Sequence, residues 1–217
     1  MTSFYCAAIL FDLDGVLLDS TRVVAEQYAH WAREHALDPG EVMKAAHGVR
    51  TIEVVRRVAP HLDAEAETLK IEKREAAAEN LSPVPGAVAL VNSIPRGLWG
   101  VVTSGTRFLA TTRMRKFGIP IPDVLVTADD VKHGKPDAEP YRRGAELLGF
   151  EPSACLVVED APAGIRAGHA AGMRVISLPT TCAIEELREA DAIVSGLAEI
   201  QVSLNGVGRQ QLLVRVG

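Results

Sequence analysis

The sequence predicts an α/β protein, a parallel sheet sandwiched between helices, with a second and all-helical domain inserted after the first strand. Three observations predict it. Short apolar runs recur without apolar/polar alternation, as strands buried on both faces do. Helix-period segments separate these runs, which is the rhythm of βαβ units. The interval from Ser20 to Ser82 is helical in pattern throughout and holds no convincing strand.

Taken in order, the strands are AAILF (7–11), WGVVT (99–103), VLVT (124–127), CLVV (155–158), RVISL (174–178) and DAIVS (191–195). Between them run RFLATTRMRKFG (107–118) and PDAEPYRRGAELLG (136–149), which have helical spacing. The result is a Rossmann-like core. In the helical interval, Ser20 is expected to cap a helix through TRVVAEQYAHWAREHA. Asp38-Pro39 starts another with proline at its first position, and Asp63 caps AEAETLKIEKREAAAENL, which ends at SPVPG (82–86). The expected division is a core of residues 1–16 and 83–217 and a helical cap of residues 17–82, with hinges near 16–20 and 80–85. Asn205-Gly206 and Gly208, ahead of LLVRV, suit a hairpin at the sheet edge. Trp31 and Trp99 are expected in the core. Gly164, Gly168 and Gly172 are expected to let their helix pack closely on the sheet.

Composition narrows the function. With 47% hydrophobic and 24% charged residues over 217 positions, the chain can bury an ordinary globular core. A formal charge of −5 and the lack of a Lys/Arg run argue against nucleic acid as a partner. The N-terminal apolar run has no basic flank and is broken by Asp12, so no signal peptide is expected. No run of about 20 apolar residues exists to span a bilayer. Cys6, Cys155 and Cys182 are odd in number and widely spaced, which points to reduced thiols in a cytoplasmic protein. A monomer is expected.

The polar residues at the strand ends carry the chemistry. The first strand stops at Asp12 and Asp14, the second at Thr103-Ser104-Gly105 and the fourth at Glu159-Asp160. The third leads through TADDVKHGKP to Lys135. In open α/β sheets ligands bind beyond the carboxyl ends of the strands, so these groups should converge. Carboxylates and a serine, without a His/Cys cluster, suit a hard cation with oxygen ligands, Mg²⁺ first among them. An aspartate repels a phosphate by about 4 kcal/mol per charge pair at 4 Å and an effective dielectric near 20. A metal and the Lys135 ammonium can cancel that, while the Ser104 hydroxyl and the Gly105 N–H hold phosphate oxygens. One aspartate can then attack phosphorus while the other serves as acid and base. The spacing is not that of an EF-hand, because Gly15 follows Asp14 directly.

FDLDGVL, VVTSG, the lysine of HGKP and VVEDAPAGI resemble the four ordered motifs of the haloacid dehalogenase-like hydrolase superfamily, and the helical insert resembles its small cap. The resemblance implies Asp12 as nucleophile and Asp14 as acid/base. It implies Ser104 and Lys135 as phosphate ligands, and a Mg²⁺ held by Asp12, the Asp14 carbonyl and Asp160 with help from Glu159. HGVRTIE, VVTSGTR, TADDVKHGKPDAEPY and VEDAPAGIRAG are most similar to glycerol-phosphate and sugar-phosphate phosphatases of the 2-deoxyglucose-6-phosphate type. Val16 departs from the threonine often found after the motif glycine. The expected substrate is thus a small phosphorylated metabolite. His47 and Arg50, in the loop between two cap helices, are placed either facing it or as a solvated or structurally bonded pair. A phosphomutase of the β-phosphoglucomutase type shares all four motifs and stays the alternative. A dehalogenase is disfavoured, since a halide leaving group needs no proton from Asp14. A non-catalytic metal- or phosphate-binding module is the reading from another class.

Overall fold

The computed structural model describes residues 2–205 and 211–217. The chain opens with β1 (Thr2–Cys6), β2 (Ala8–Phe11) and β3 (Leu18–Asp19). Four helices follow: α1 (Thr21–Glu34), α2 (Pro39–Ala46), α3 (Thr51–Val58) and α4 (Ala64–Ala77). Next come β4 (Ser82–Pro83), α5 (Ala87–Ser93), β5 (Trp99–Val102), α6 (Arg107–Lys116), β6 (Val124–Val126) and α7 (Glu139–Leu148). The remainder is β7 (Cys155–Glu159), α8 (Pro162–Ala170), β8 (Arg174–Ser177), β9 (Ala192–Ile193), β10 (Ile200–Asn205) and β11 (Gln211–Val216).

All six predicted strands are present in one parallel sheet of order β6-β5-β2-β7-β8-β9. The missing alternation has a direct cause, because successive residues face two different cores. Ile9, Phe11, Val101 and Val158 enter one cluster, and Ala8, Leu10, Val102 and Val157 enter the other. α7 lies so close to the sheet that a Cβ on Gly144 would sit 3.0 Å from Leu10.

The interval after β3 is helical as expected, and α1–α4 bury a third cluster around Tyr28, Trp31, Val54, Val55 and Ile71. Asp38 and Asp63 cap α2 and α4, accepting from Glu41 N (2.9 Å) and Ala66 N (3.0 Å). Ser20 does not cap α1. Its backbone is already near helical (φ −112°, ψ −3°), which turns the hydroxyl away from the free amides, and the residue is buried instead. The segments leading into and out of the helices pair as the ribbon β3–β4.

The C-terminal strands do form an antiparallel pair, but not at the edge of the main sheet. β11 lies between β10 and the N-terminal β1 in a separate three-stranded sheet. The expected turn falls on residues 206–210, which lie outside the described residues. Among the described residues, no helix is long and apolar enough to cross a membrane. The three cysteines are buried and free.

Candidate active site

The register of the sheet brings the predicted groups level. Phe11 pairs with Val101 on one side and Val158 on the other, so the residues that follow emerge at one edge. There the Asp12 amide donates to Val158 O (3.0 Å) and the Thr103 amide to Val126 O (2.9 Å). Asp12, Glu159 and Asp160 offer three carboxylate oxygens within 4.8 Å of one another.

Lys135 comes up beneath them from the loop after β6. Its Nζ donates to Asp12 Oδ1 (2.5 Å), Glu159 Oε1 (2.6 Å) and Val102 O (3.0 Å). Three donors and three acceptors match completely, which is how an ammonium this enclosed stays satisfied. Burial alone would lower the Lys135 pKa, but the carboxylates of Asp12 and Glu159 outweigh it and hold the lysine charged.

Glu159 is the organiser. Its Oε1 also accepts from Tyr141 OH (2.8 Å), and its Oε2 accepts the amides of Asp160 (2.9 Å) and Ala161 (3.2 Å). Four hydrogen bonds use up the acceptor sites of a carboxylate. Burial pushes Glu159 up, yet Lys135 and these donors bring it below its ordinary pKa. Gly164, at the start of α8, makes room for it, since a Cβ there would stand 1.7 Å from Glu159 Oε1. Of the three glycines expected to allow close packing on the sheet, Gly168 fits that account, with a Cβ coming 2.7 Å from Val175; Gly164 accommodates Glu159, and Gly172, past the end of α8 at φ +84°, would have no atom within 4 Å of a Cβ.

Asp160 receives the Thr181 hydroxyl and, at 3.5 Å, that of Thr180. Burial, reinforced by Glu159 and Asp12, raises the Asp160 pKa well above its ordinary value. Burial likewise raises Asp12 to about 7, against the pull of Lys135. One ammonium is bonded to two of these three buried carboxylates, and the cluster of carboxylate oxygens fits a divalent cation. All donors are hard oxygens, as Mg²⁺ requires.

Asp14 stands apart from that cluster. Gly15, at φ +86°, turns the chain sharply, and a Cβ there would meet Asp160 Oδ2 at 1.9 Å. The Asp14 carboxylate accepts from Arg113 Nη1 (2.6 Å), and Arg113 Nη2 donates to Glu75 Oε2 (3.1 Å). Arg113 belongs to α6 and Glu75 to α4, so this trio ties the sheet side to the helical side.

The two remaining phosphate candidates are engaged within the protein. Ser104 Oγ donates to Gly48 O (2.9 Å), and the Gly105 amide to Thr103 Oγ1 (3.1 Å). Both residues line a cavity of about 110 Å³ between sheet and helices, together with Asp12, Asp14, Asp160 and His47. Arg50 does not line it. Its guanidinium is bound to Glu53 (3.0 and 2.5 Å) and to the carbonyls of Val131 (3.1 Å) and Lys132 (2.8 Å).

Arg113, Glu75 and Tyr141 are absent from the residues that strand-end reasoning selects. A signal for the first two exists: each is a charged residue on the buried face of its helix, beside Leu109, Ala110 and Met114 in α6 and Ile71 and Ala76 in α4. Charges on an apolar stripe are almost never buried without a partner.

The chain is similar to known proteins over most of its length. The model of the family "haloacid dehalogenase-like hydrolase" matches residues 6–172. The chain is 41% identical over 204 residues to hexitol phosphatase A of Escherichia coli, covering 91% of this chain and 94% of that one. It is 38% identical to glycerol-1-phosphate phosphohydrolase 2 of Saccharomyces cerevisiae, covering 90% and 84%. In fold it resembles CbbY from Rhodobacter sphaeroides, crystallised with phosphate, at a TM-score of 0.78 and 24% identity over 89% of this chain and 96% of that one.

Proposed function

This chain belongs to the haloacid dehalogenase-like hydrolase family, and from that membership we propose that it is a Mg²⁺-dependent phosphatase of small sugar or polyol phosphates. The observation that carries the reading is that Asp12 and Asp160 line a cavity roofed by helices, with Lys135 and Glu159 bonded to them from beneath. Its size supports a compact substrate, since about 110 Å³ lies well below the ~300–1,000 Å³ of drug-sized sites. The relatives named as hexitol and glycerol-1-phosphate phosphatases support the same class.

Asp12, with one oxygen on Lys135, attacks phosphorus and forms an aspartyl-phosphate as the P–O bond to the leaving group breaks. Asp14, held by Arg113, gives its proton to the departing alkoxide. It then takes one from the water that attacks the acyl phosphate and releases inorganic phosphate. Ser104 exchanges its bond to Gly48 for a phosphate oxygen, and Lys135 keeps its charge beside the reacting group. Asp12, Asp160 and the Asp14 carbonyl would hold the Mg²⁺, with Glu159 fixing Asp160 from behind through its amide. When bound, the metal supplies positive charge against the repulsion between carboxylate and phosphate.

Residues 17–82 serve as a cap that closes to exclude bulk water and opens to release product. The phosphomutase alternative is not favoured, because the relatives that match over nine-tenths of the chain carry phosphatase names. Buried, free cysteines suit a cytoplasmic setting.

Phosphate release from a panel of polyol and sugar phosphates, with and without Mg²⁺, tests the reading. Turnover should require the metal and vanish in Asp12→Asn and Asp14→Asn. Absence of turnover on every member of the panel, with metal bound, would overturn it.

A further inference from the structure

The roof of the cavity carries polar groups that no step above uses. Glu75 projects from α4 and lines the cavity while being buried itself. Its Oε2 accepts from Arg113 Nη2, and no described residue donates a hydrogen bond to its Oε1. Beside it, Tyr28 OH donates to Thr51 Oγ1 (3.2 Å), and Ser20 and Thr21 add two more hydroxyls to the lining. A carboxylate oxygen without a donor, set among hydroxyls, accepts the O–H of a bound alcohol.

The charges around it decide which alcohol. Among the described residues on the lining, the carboxylates are Asp12, Asp14, Glu75 and Asp160, and the only Arg or Lys is Arg113. Arg113 is already shared between Asp14 (2.6 Å) and Glu75 (3.1 Å). Lys135 lies beneath the floor, on Asp12 and Glu159, and Arg50 is bound elsewhere. His47 is the one other basic side chain on the wall, with Nδ1 3.9 Å from Cys182 Sγ. A leaving group with a second anion would find carboxylates and no free guanidinium or ammonium.

We propose that Glu75 determines specificity. Its free oxygen accepts a hydroxyl of the leaving group, and its charge, with Arg113 neutralised, turns away phosphates that carry a second anionic group. The accepted class is the uncharged polyol monophosphate, and the rejected class is the bisphosphate or carboxylated phosphate. This deepens the phosphatase reading and rests on it.

The test is kcat/KM at about pH 8, where Glu75 is ionised, with Mg²⁺, for glycerol 1-phosphate, phosphoglycolate and a hexose bisphosphate, in the wild type and in Glu75→Gln. The wild type should favour glycerol 1-phosphate over both anionic substrates by at least about ten-fold. Glu75→Gln keeps the side chain's size but removes its charge and leaves Arg113 partly unopposed. The preference should then narrow by about ten-fold or more, through loss on the polyol phosphate and gain on phosphoglycolate. A wild type that takes phosphoglycolate as readily as glycerol 1-phosphate overturns the proposal without any variant. So does a preference that Glu75→Gln leaves unmoved. Phosphate release from none of the three, nor from other phosphate esters, overturns the phosphatase reading and this proposal together.

Discussion

Gly164 shows how much of the site depends on a missing side chain. Glu159 needs the volume a Cβ would take, and its four hydrogen bonds set Asp160 and Lys135. Gly164→Ala should lower Mg²⁺ affinity by about 10–100-fold, the usual effect of disturbing a group behind the ligands. Titration calorimetry reads this, and unchanged affinity would show that Asp160 holds its place without Glu159. Glu75 yields a prediction in pH. Burial, reinforced by Asp14 and Glu72 and opposed by Arg113, raises its pKa from 4.5 to about 7. The folded state therefore binds a proton that the unfolded chain releases earlier. That contribution is complete below about pH 4.5 and is lost as pH rises through about 7. Glu75→Gln, which cannot ionise, should gain stability relative to the wild type between about pH 5 and about pH 8 in urea unfolding. A pH-independent difference would contradict the placement of Glu75. Asp12, Asp14, Lys135 and Asp160 were legible from sequence, because each stands next to a strand or in a loop leading from one. Arg113 and Glu75 carried only the signal of a charge on the apolar face of a helix, and with partners 99 and 38 positions from Arg113 along the chain nothing joined them to each other or to Asp14.

Between elements, the helical layer is fastened to the sheet layer by a few polar bridges. Arg50, in the loop between α2 and α3, spans to the carbonyls of Val131 and Lys132 across the layers. Arg113 and Glu75 make a second tie, from α6 to α4. Arg50→Ala should cost about 1–3 kcal/mol of stability, as loss of hydrogen bonds to a charged group does. The amides of residues 47–58 should then exchange faster with solvent. Exchange at the wild-type rate would show that the loop is held by something else. From the sequence, Arg50 could face the substrate or be bonded within the protein, because a cationic side chain in a polar loop has no partner until the fold supplies Glu53 and two carbonyls. The parallel strands were easy to read because all but the partly buried edge strand β9 are short runs buried largely on both faces. β1 was not: exposed residues precede Phe4 in its burial pattern, and its apolar part runs almost without a break into β2. Only the pairing of Phe4 with Val214 and Cys6 with Leu212 separates the two.

At the scale of the whole molecule, two cores cover the faces of one sheet and a third sits within the helices, with the cavity between. The acidic floor faces that gap, so metal binding and folding are linked. Mg²⁺ at about 100 times its dissociation constant should stabilise the protein by about 2.7 kcal/mol. Thermal unfolding with Mg²⁺ and with a chelator measures this, and Asp160→Asn should show little or no metal-dependent rise. A rise preserved in that variant would place the ion elsewhere. The central claim is that Asp12 takes the phosphoryl group while Lys135 and Asp160 surround it. A crystal structure grown with Mg²⁺ and beryllium trifluoride, a mimic of a bound phosphoryl group, tests it most directly. The account predicts the beryllium on an Asp12 carboxylate oxygen, with the metal on Asp12, Asp160 and the Asp14 carbonyl. Beryllium fluoride on another side chain, or a metal away from Asp160, would contradict it.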